Sequence, residues 1–115
     1  MEKLSGLNLE NHGMTVIFRR QHSKHSKFWL THTDGQYTHL SHLFYFHKEW
    51  LEDWGGRFCV LSNNQPESVV REICPVINNS VAIVRSDNSW HMVTPVSPLA
   101  THHRLTMKTV FWATP

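Results

Sequence analysis

Turn signals recur along this chain at short, regular intervals, and no segment between them carries the long apolar period of a helix. Met14–Arg20 is β-branched and aromatic and runs into a polar stretch from Gln21 to Ser26. Phe28–His32 is a second apolar run, stopped by Asp34-Gly35, and Leu40–Phe46 is a third, followed by the polar segment His47–Asp53. Gly55-Gly56 turns the chain into Arg57–Leu61, and Asn63-Asn64-Gln65-Pro66 loops it into Ser68–Ile73. Asn78-Asn79 leads into Ser80–Val84, and Ser86-Asp87-Asn88 into Trp90–Val93. A loop with Pro95 and Pro98 precedes the last run, Arg104–Trp112. Short strands punctuated in this way specify an all-β barrel or two-sheet jelly roll of about eight strands. Lys48–Trp54 has room for one or two helical turns, so few or no supporting helices are expected. At 115 residues the expectation is one domain, with 1–13 as an N-terminal extension and 14–112 as the barrel.

Ten histidines in so short a chain is the compositional oddity, and it points toward metal chemistry. In an extended chain residues i and i+2 project to one face, so His32 and Asp34 can reach one metal ion together. That spacing alone is weak evidence, since it arises by accident in roughly one such chain in four. A third ligand is offered by His91, after a strand and a tight turn, 59 residues on (91 minus 32). Two imidazoles and one carboxylate on one face leave three adjacent positions open on an octahedral iron(II) ion. Thirteen residues later (104 minus 91) Arg104 opens the final strand. Arg104 and Thr106 share a strand face, where guanidinium and hydroxyl can grip one carboxylate.

The order and spacing of these segments resembles the 2-oxoglutarate/Fe(II) oxygenase superfamily, nearest its prolyl-4-hydroxylase-like branch. The segments are His32-Thr-Asp34, then His42-Leu-Phe-Tyr45-Phe-His-Lys-Glu-Trp50, Trp54-Gly-Gly56, Ser86-Asp-Asn-Ser-Trp-His91 and Arg104-Leu-Thr106. The resemblance runs from about Met14 to the C-terminus. It implies a double-stranded β-helix, the cupin-like jelly roll. It implies iron(II) on His32, Asp34 and His91, and 2-oxoglutarate held through its distal carboxylate by Arg104, Thr106 and the Tyr45 hydroxyl. It also leaves room for ascorbate as a further cofactor. The implied reaction is hydroxylation of a peptidyl or amino-acid side chain by dioxygen, with release of succinate and carbon dioxide. Two positions depart from the pattern: His47 stands where the family has Asn, and His22 where some relatives have a second tyrosine. Nucleobase-repairing relatives carry a second arginine where this chain has Val110, which counts against a demethylase.

Two other readings stay open on the sequence. One is a cupin-like metal barrel that does not use 2-oxoglutarate, which would need no carboxylate clamp at Arg104. The other is a non-catalytic remnant that binds a partner through the barrel. Relatives carry helices before the barrel that pack on one sheet, so here that sheet face is expected to be apolar, covered by a homodimer partner or another protein.

The remaining features read more plainly. A net charge of +2 with no basic stripe gives no push toward nucleic acid or membrane. Arg19, Arg20, Lys24 and Lys27 read as a solvated strand end and loop. Cys59 and Cys74 read as free thiols, and Met1–His12 lacks the apolar stretch of a signal peptide, so a reducing cytoplasmic setting is expected. Trp29, Trp50, Trp54, Trp90 and Trp112 read as core and rim packing. His39 and His42 face opposite ways in a strand and so do not form a second metal pair. His102-His103 reads as a loop, Gly55-Gly56 as a hairpin, Glu52 and Asp53 as an acidic rim, and 62–68 as a loop where specificity could reside.

Overall fold

The computed structural model describes residues 9–10, 12–21 and 31–113. Among them are seven strands: β1 (Gly13–Gln21), β2 (Thr38–Tyr45), β3 (Phe58–Leu61), β4 (Val69–Ile73), β5 (Ser80–Val84), β6 (His91–Val93) and β7 (Arg104–Trp112). One sheet has the order β1-β7-β2-β5 and the other β4-β3-β6, with every pairing antiparallel. This is the jelly roll expected from the turn-punctuated sequence. Of the run expected over 28–32, residues 28–30, Trp29 included, lie outside the described residues, as do His22, Lys24 and Lys27. His32 itself forms an antiparallel bridge with His91, at the end of β6.

Side chains alternate across a strand, so the register decides what faces the interior. In β7 the buried positions Arg104, Thr106 and Val110 fall two or four apart, with Lys108 between them. Gln21, Arg19 and Ile17 of β1 lie opposite Arg104, Thr106 and Lys108. On the other edge, Tyr45, Leu43 and Ser41 of β2 lie opposite Thr106, Lys108 and Val110. One inward face of the larger sheet therefore gathers polar and charged residues from three strands. Its outward face carries the exposed apolar residues Met14, Val16 and Phe18.

The apolar core sits on the smaller sheet and in the connections. Phe58, Cys59, Leu61 and Met92 are buried there, and Trp50, Trp54 and Val96 form a second cluster. Trp50 and Trp54 meet edge to face at 5.1 Å, as aromatic pairs prefer. Both cysteines are free, Cys59 fully buried.

Gly55-Gly56 is not the hairpin that its sequence suggests. Strand β2 already has β7 and β5 on its two edges. The chain leaving it must therefore change sheets, and it does so through a short 3₁₀ turn at Glu52–Trp54. Both glycines have positive φ, +66° and +64°. Gly55 also forms a bridge with Val96, and a Cβ there would strike the Pro95 carbonyl oxygen. The glycines serve a close crossing between sheets. Among the described residues no helix is long and apolar enough to cross a membrane.

Candidate metal centre and carboxylate clamp

His32 and His91 are brought together by backbone before any side chain is considered. Each N–H donates to the other's carbonyl at 3.0 Å. Residues paired in this way share a sheet face, and the two imidazole centroids lie 4.2 Å apart. Asp34, two residues beyond His32, points its Oδ1 between them, 3.3 Å from His91 Nε2 and 3.9 Å from His32 Nε2. All three donor atoms lie within 4.8 Å of one another.

Second partners fix His91 and Asp34. His91 Nδ1 lies 2.8 Å from the Ser89 carbonyl. A carbonyl only accepts, so Nδ1 carries a proton and Nε2 is the nitrogen turned toward the centre, where it faces Asp34 as a donor without a metal and would be the ligand atom with one. The buried Ser41 hydroxyl, on β2, donates to Asp34 Oδ2 at 3.0 Å, leaving Oδ1 for the centre. Arg85 Nε donates to the Asp34 carbonyl at 3.2 Å and steadies the backbone. Burial works to raise the Asp34 carboxyl. The His91 hydrogen bond and charge, the Ser41 hydroxyl and the Lys108 ammonium outweigh it and hold the pKa down at about 2. Asp34 thus stays ionised, as a metal ligand must be.

The three donors open onto a cavity of about 110 Å³ that also reaches Gln21, Arg104, Thr106, Arg19 and Lys108. Arg104 is 3% exposed. Its Nε donates to the Gly56 carbonyl at 2.6 Å, and its Nη1 donates to Gln21 Oε1 at 2.7 Å. Its Nη2 is buried with no hydrogen-bond partner among the described residues, and so is the Tyr45 hydroxyl. The two groups are neighbours, with Arg104 Cζ 5.5 Å from the Tyr45 ring centre. Burial pushes the Tyr45 hydroxyl above its ordinary pKa, with the charge and the close approach of the Arg104 guanidinium, short of a well-formed hydrogen bond, acting against this. Tyr45 is therefore a neutral donor. Two orphaned buried donors cost about 1–3 kcal/mol each unless a ligand satisfies them. A carboxylate is the group that would do so, and Thr106 is buried on the same strand face.

The departures from expectation are informative. His47 does not face the cavity. Its Nε2 accepts the Leu105 N–H at 3.0 Å, and its carbonyl accepts the Ile77 N–H at 2.6 Å, so it joins β7 to a connecting loop. Arg19, which reads as a solvated strand end, lines the cavity because the register turns it inward. Gln21, Ser41 and Lys108 carry no motif that marks them; the i, i+2 alternation from Arg104 to Lys108 is the signal that could have found the last. His39 meets His12 instead of His42, with His12 Nε2 and His39 Nδ1 2.7 Å apart.

The 2OG-Fe(II) oxygenase superfamily model matches residues 18–112 of this chain. The chain belongs to that superfamily, whose metal is iron(II) and whose cosubstrate is 2-oxoglutarate. Among solved structures it is similar to a Pseudomonas putida prolyl-4-hydroxylase, with a TM-score of 0.67 at 19% identity. The alignment covers 99% of this chain and 58% of that one, so this chain spans a little over half of that protein's length. At this identity the likeness is one of fold. No match was found among curated protein sequences. The donor chemistry of the cavity fits the family's groups: two imidazoles and an ionised carboxylate for the metal, and two unsatisfied donors for a carboxylate.

Proposed function

We propose that this chain is a single oxygenase domain that hydroxylates a peptidyl or amino-acid side chain, using dioxygen and 2-oxoglutarate. The observation that carries this reading is the Arg104 Nη2 left without a partner in the cavity that the triad shares. His32, Asp34 and His91 would hold iron(II), and Arg104, Thr106 and Tyr45 would hold the distal carboxylate of 2-oxoglutarate. When bound, these groups supply the dioxygen chemistry, in which one oxygen atom enters the substrate C–H bond and the other enters succinate as carbon dioxide leaves.

The chain's own residues prepare that reaction by position and charge. The Ser89 carbonyl orients the His91 ring, and Ser41 orients Asp34, so the ligand geometry is set in advance. Arg104 is held at two of its three nitrogens, which aims the third without loss of side-chain freedom on binding. Leu43, Phe58, Ile83 and Val93 wall the cavity with apolar surface and keep water from the reacting atoms. The two free thiols support a reducing, cytoplasmic setting.

A metal barrel that does not use 2-oxoglutarate gives no reason for a buried, partly unsatisfied arginine. A partner-binding remnant gives no reason for the buried Ser41 hydroxyl to sit behind the Asp34 carboxylate. Anaerobic titration of the Fe(II)-loaded protein with 2-oxoglutarate tests the reading. A weak metal-to-ligand charge-transfer band is expected, and its absence rejects the proposal. Retention of the band in Arg104→Ala at unchanged cosubstrate affinity would reject the clamp.

A further inference from the structure

We propose that Arg19 and Lys108 form an anion subsite for the substrate, so that the molecule hydroxylated carries a carboxylate close to the carbon attacked. This rests on the oxygenase reading and extends it to a substrate class.

Charge gives the first argument. Among the described residues, the charged side chains that line the cavity are Arg19, Arg104, Lys108 and Asp34, three cations against one anion, or +2. A divalent metal and a dianionic cosubstrate cancel each other, so the filled site would keep that excess. Arg57 and Arg85 pair with Glu52, Glu72 and Asp87. Neither Arg19 nor Lys108 has an ion pair with a carboxylate side chain within 4 Å among the described residues.

Placement gives the second. Lys108 rises from the inward face of β7, flanked by Ile17 on β1 and Leu43 on β2. Arg19 is one inward step along β1, diagonal to Lys108, a spacing of about 7–8 Å between side-chain roots that two long cations can close around one carboxylate. Apolar flanks lower the local dielectric and strengthen such a contact.

Position along the strand gives the third. Arg104 is buried at the start of β7, whereas Arg19 is exposed and Lys108 half-buried. Lys108 lies about 14 Å farther along the strand than Arg104, at an extended rise near 3.4 Å per residue. It also reaches Asp34 electrostatically. Lys108 therefore sits toward the metal and away from Arg104, while Arg19, paired with Thr106 but exposed, stands at the open side of the cavity between the two ends.

The test uses the Zn(II)-loaded protein with 2-oxoglutarate, which cannot turn over. The probe is an array of short proline-containing peptides bearing Glu, Gln or Lys at each flanking position. Peptides with Glu at a favoured position should bind about 10-fold more tightly than their Gln counterparts at low salt. Arg19→Gln with Lys108→Gln should reduce that preference below about 3-fold, whereas Arg20→Gln, on the outward face of the same strand, should retain it. Arg19→Gln alone, at an exposed position, gives an intermediate loss in a folded protein. Lack of any acid-over-amide preference, or equal loss in Arg20→Gln, overturns the subsite. Affinity for 2-oxoglutarate, read separately by calorimetry, should stay unchanged in the double variant. A parallel fall would assign the pair to the cosubstrate and overturn the proposal. No 2-oxoglutarate binding by the parent chain would instead bring down the oxygenase reading itself.

Discussion

The backbones of His32 and His91 hold each other by two reciprocal 3.0 Å hydrogen bonds, so two candidate metal ligands are paired by main chain alone. The site should therefore survive loss of either imidazole as a fold and fail only as a metal site. In the parent chain, a divalent ion at about 100 times its Kd should add about 2.7 kcal/mol of stability. That corresponds to a rise in Tm on the order of 10 °C for a domain of this size. His32→Ala and His91→Ala should unfold near the parent's metal-free Tm and show no such rise, as followed by circular dichroism.

Asp34 ties acid stability to the same site. Its carboxyl titrates at about 2 in the fold, against about 3.9 in an unfolded chain. Its charged form therefore stabilises the fold fully above about pH 4, and the contribution disappears as the pH falls through about 2. Asp34→Asn should cost the metal-free protein on the order of 2 kcal/mol at pH 6 and only about 0.4 kcal/mol at pH 2, where the folded carboxyl is half protonated. Urea unfolding across that range checks it. A gap that persists undiminished at pH 2 would trace the loss to packing instead.

Gly56 controls the clamp. A Cβ at this position would lie 3.0 Å from Arg104 Cδ, at a φ of +64° that side chains rarely adopt. Gly56→Ala should destabilise the fold by about 1–2 kcal/mol and weaken 2-oxoglutarate binding at least about 10-fold, since a displaced guanidinium costs roughly 1.4 kcal/mol or more. Gly35→Ala, with open space around its Cβ, should leave both within about 0.5 kcal/mol of the parent. Calorimetry and denaturant unfolding measure the two effects together.

His47 should act as an acid-sensitive joint. Accepting the Leu105 N–H through Nε2 requires a neutral ring. Burial, then the charges of His102 and Arg104, lower its pKa from 6.5, while the His103 backbone acts the other way. The folded pKa lies below the unfolded one, so this stability is whole above about pH 6.5 and is lost as the pH falls through the folded value. His47→Leu should lose about 1 kcal/mol at pH 7.5 and show a smaller further loss on acidification. His47→Asn, whose amide oxygen can accept the same N–H, should keep the stability without the acid dependence. Thermal unfolding at pH 5.5 and 7.5 separates them.

Much of this was written locally in the chain. Alternation and turn chemistry specify the strands, and the i, i+2 spacing of His32 and Asp34 puts both on one edge. What was not legible depends on register between distant strands. Gln21 receives a hydrogen bond from Arg104, 83 residues away, and nothing local marks either as the other's partner. Arg19 reads as solvent-facing until β1 is set against β7, because one residue of slip would reverse it. Gly55-Gly56 has hairpin composition, but both edges of β2 were already taken. His47 could be flagged as a departure from the family's Asn, while its use of Leu105 could not be read from sequence.

The candidate metal centre and the candidate carboxylate clamp draw on different sheets. His32 and His91 belong to the smaller one, and Ser41, which steadies Asp34, and Arg104 belong to the larger one. Few direct polar ties, such as Arg104 to the Gly56 carbonyl, span the gap. Alignment of the candidate centre with the candidate clamp is thus a property of the space between two plates. A small sliding of one across the other would part the His32, Asp34 and His91 cluster from Arg104 while leaving every strand intact.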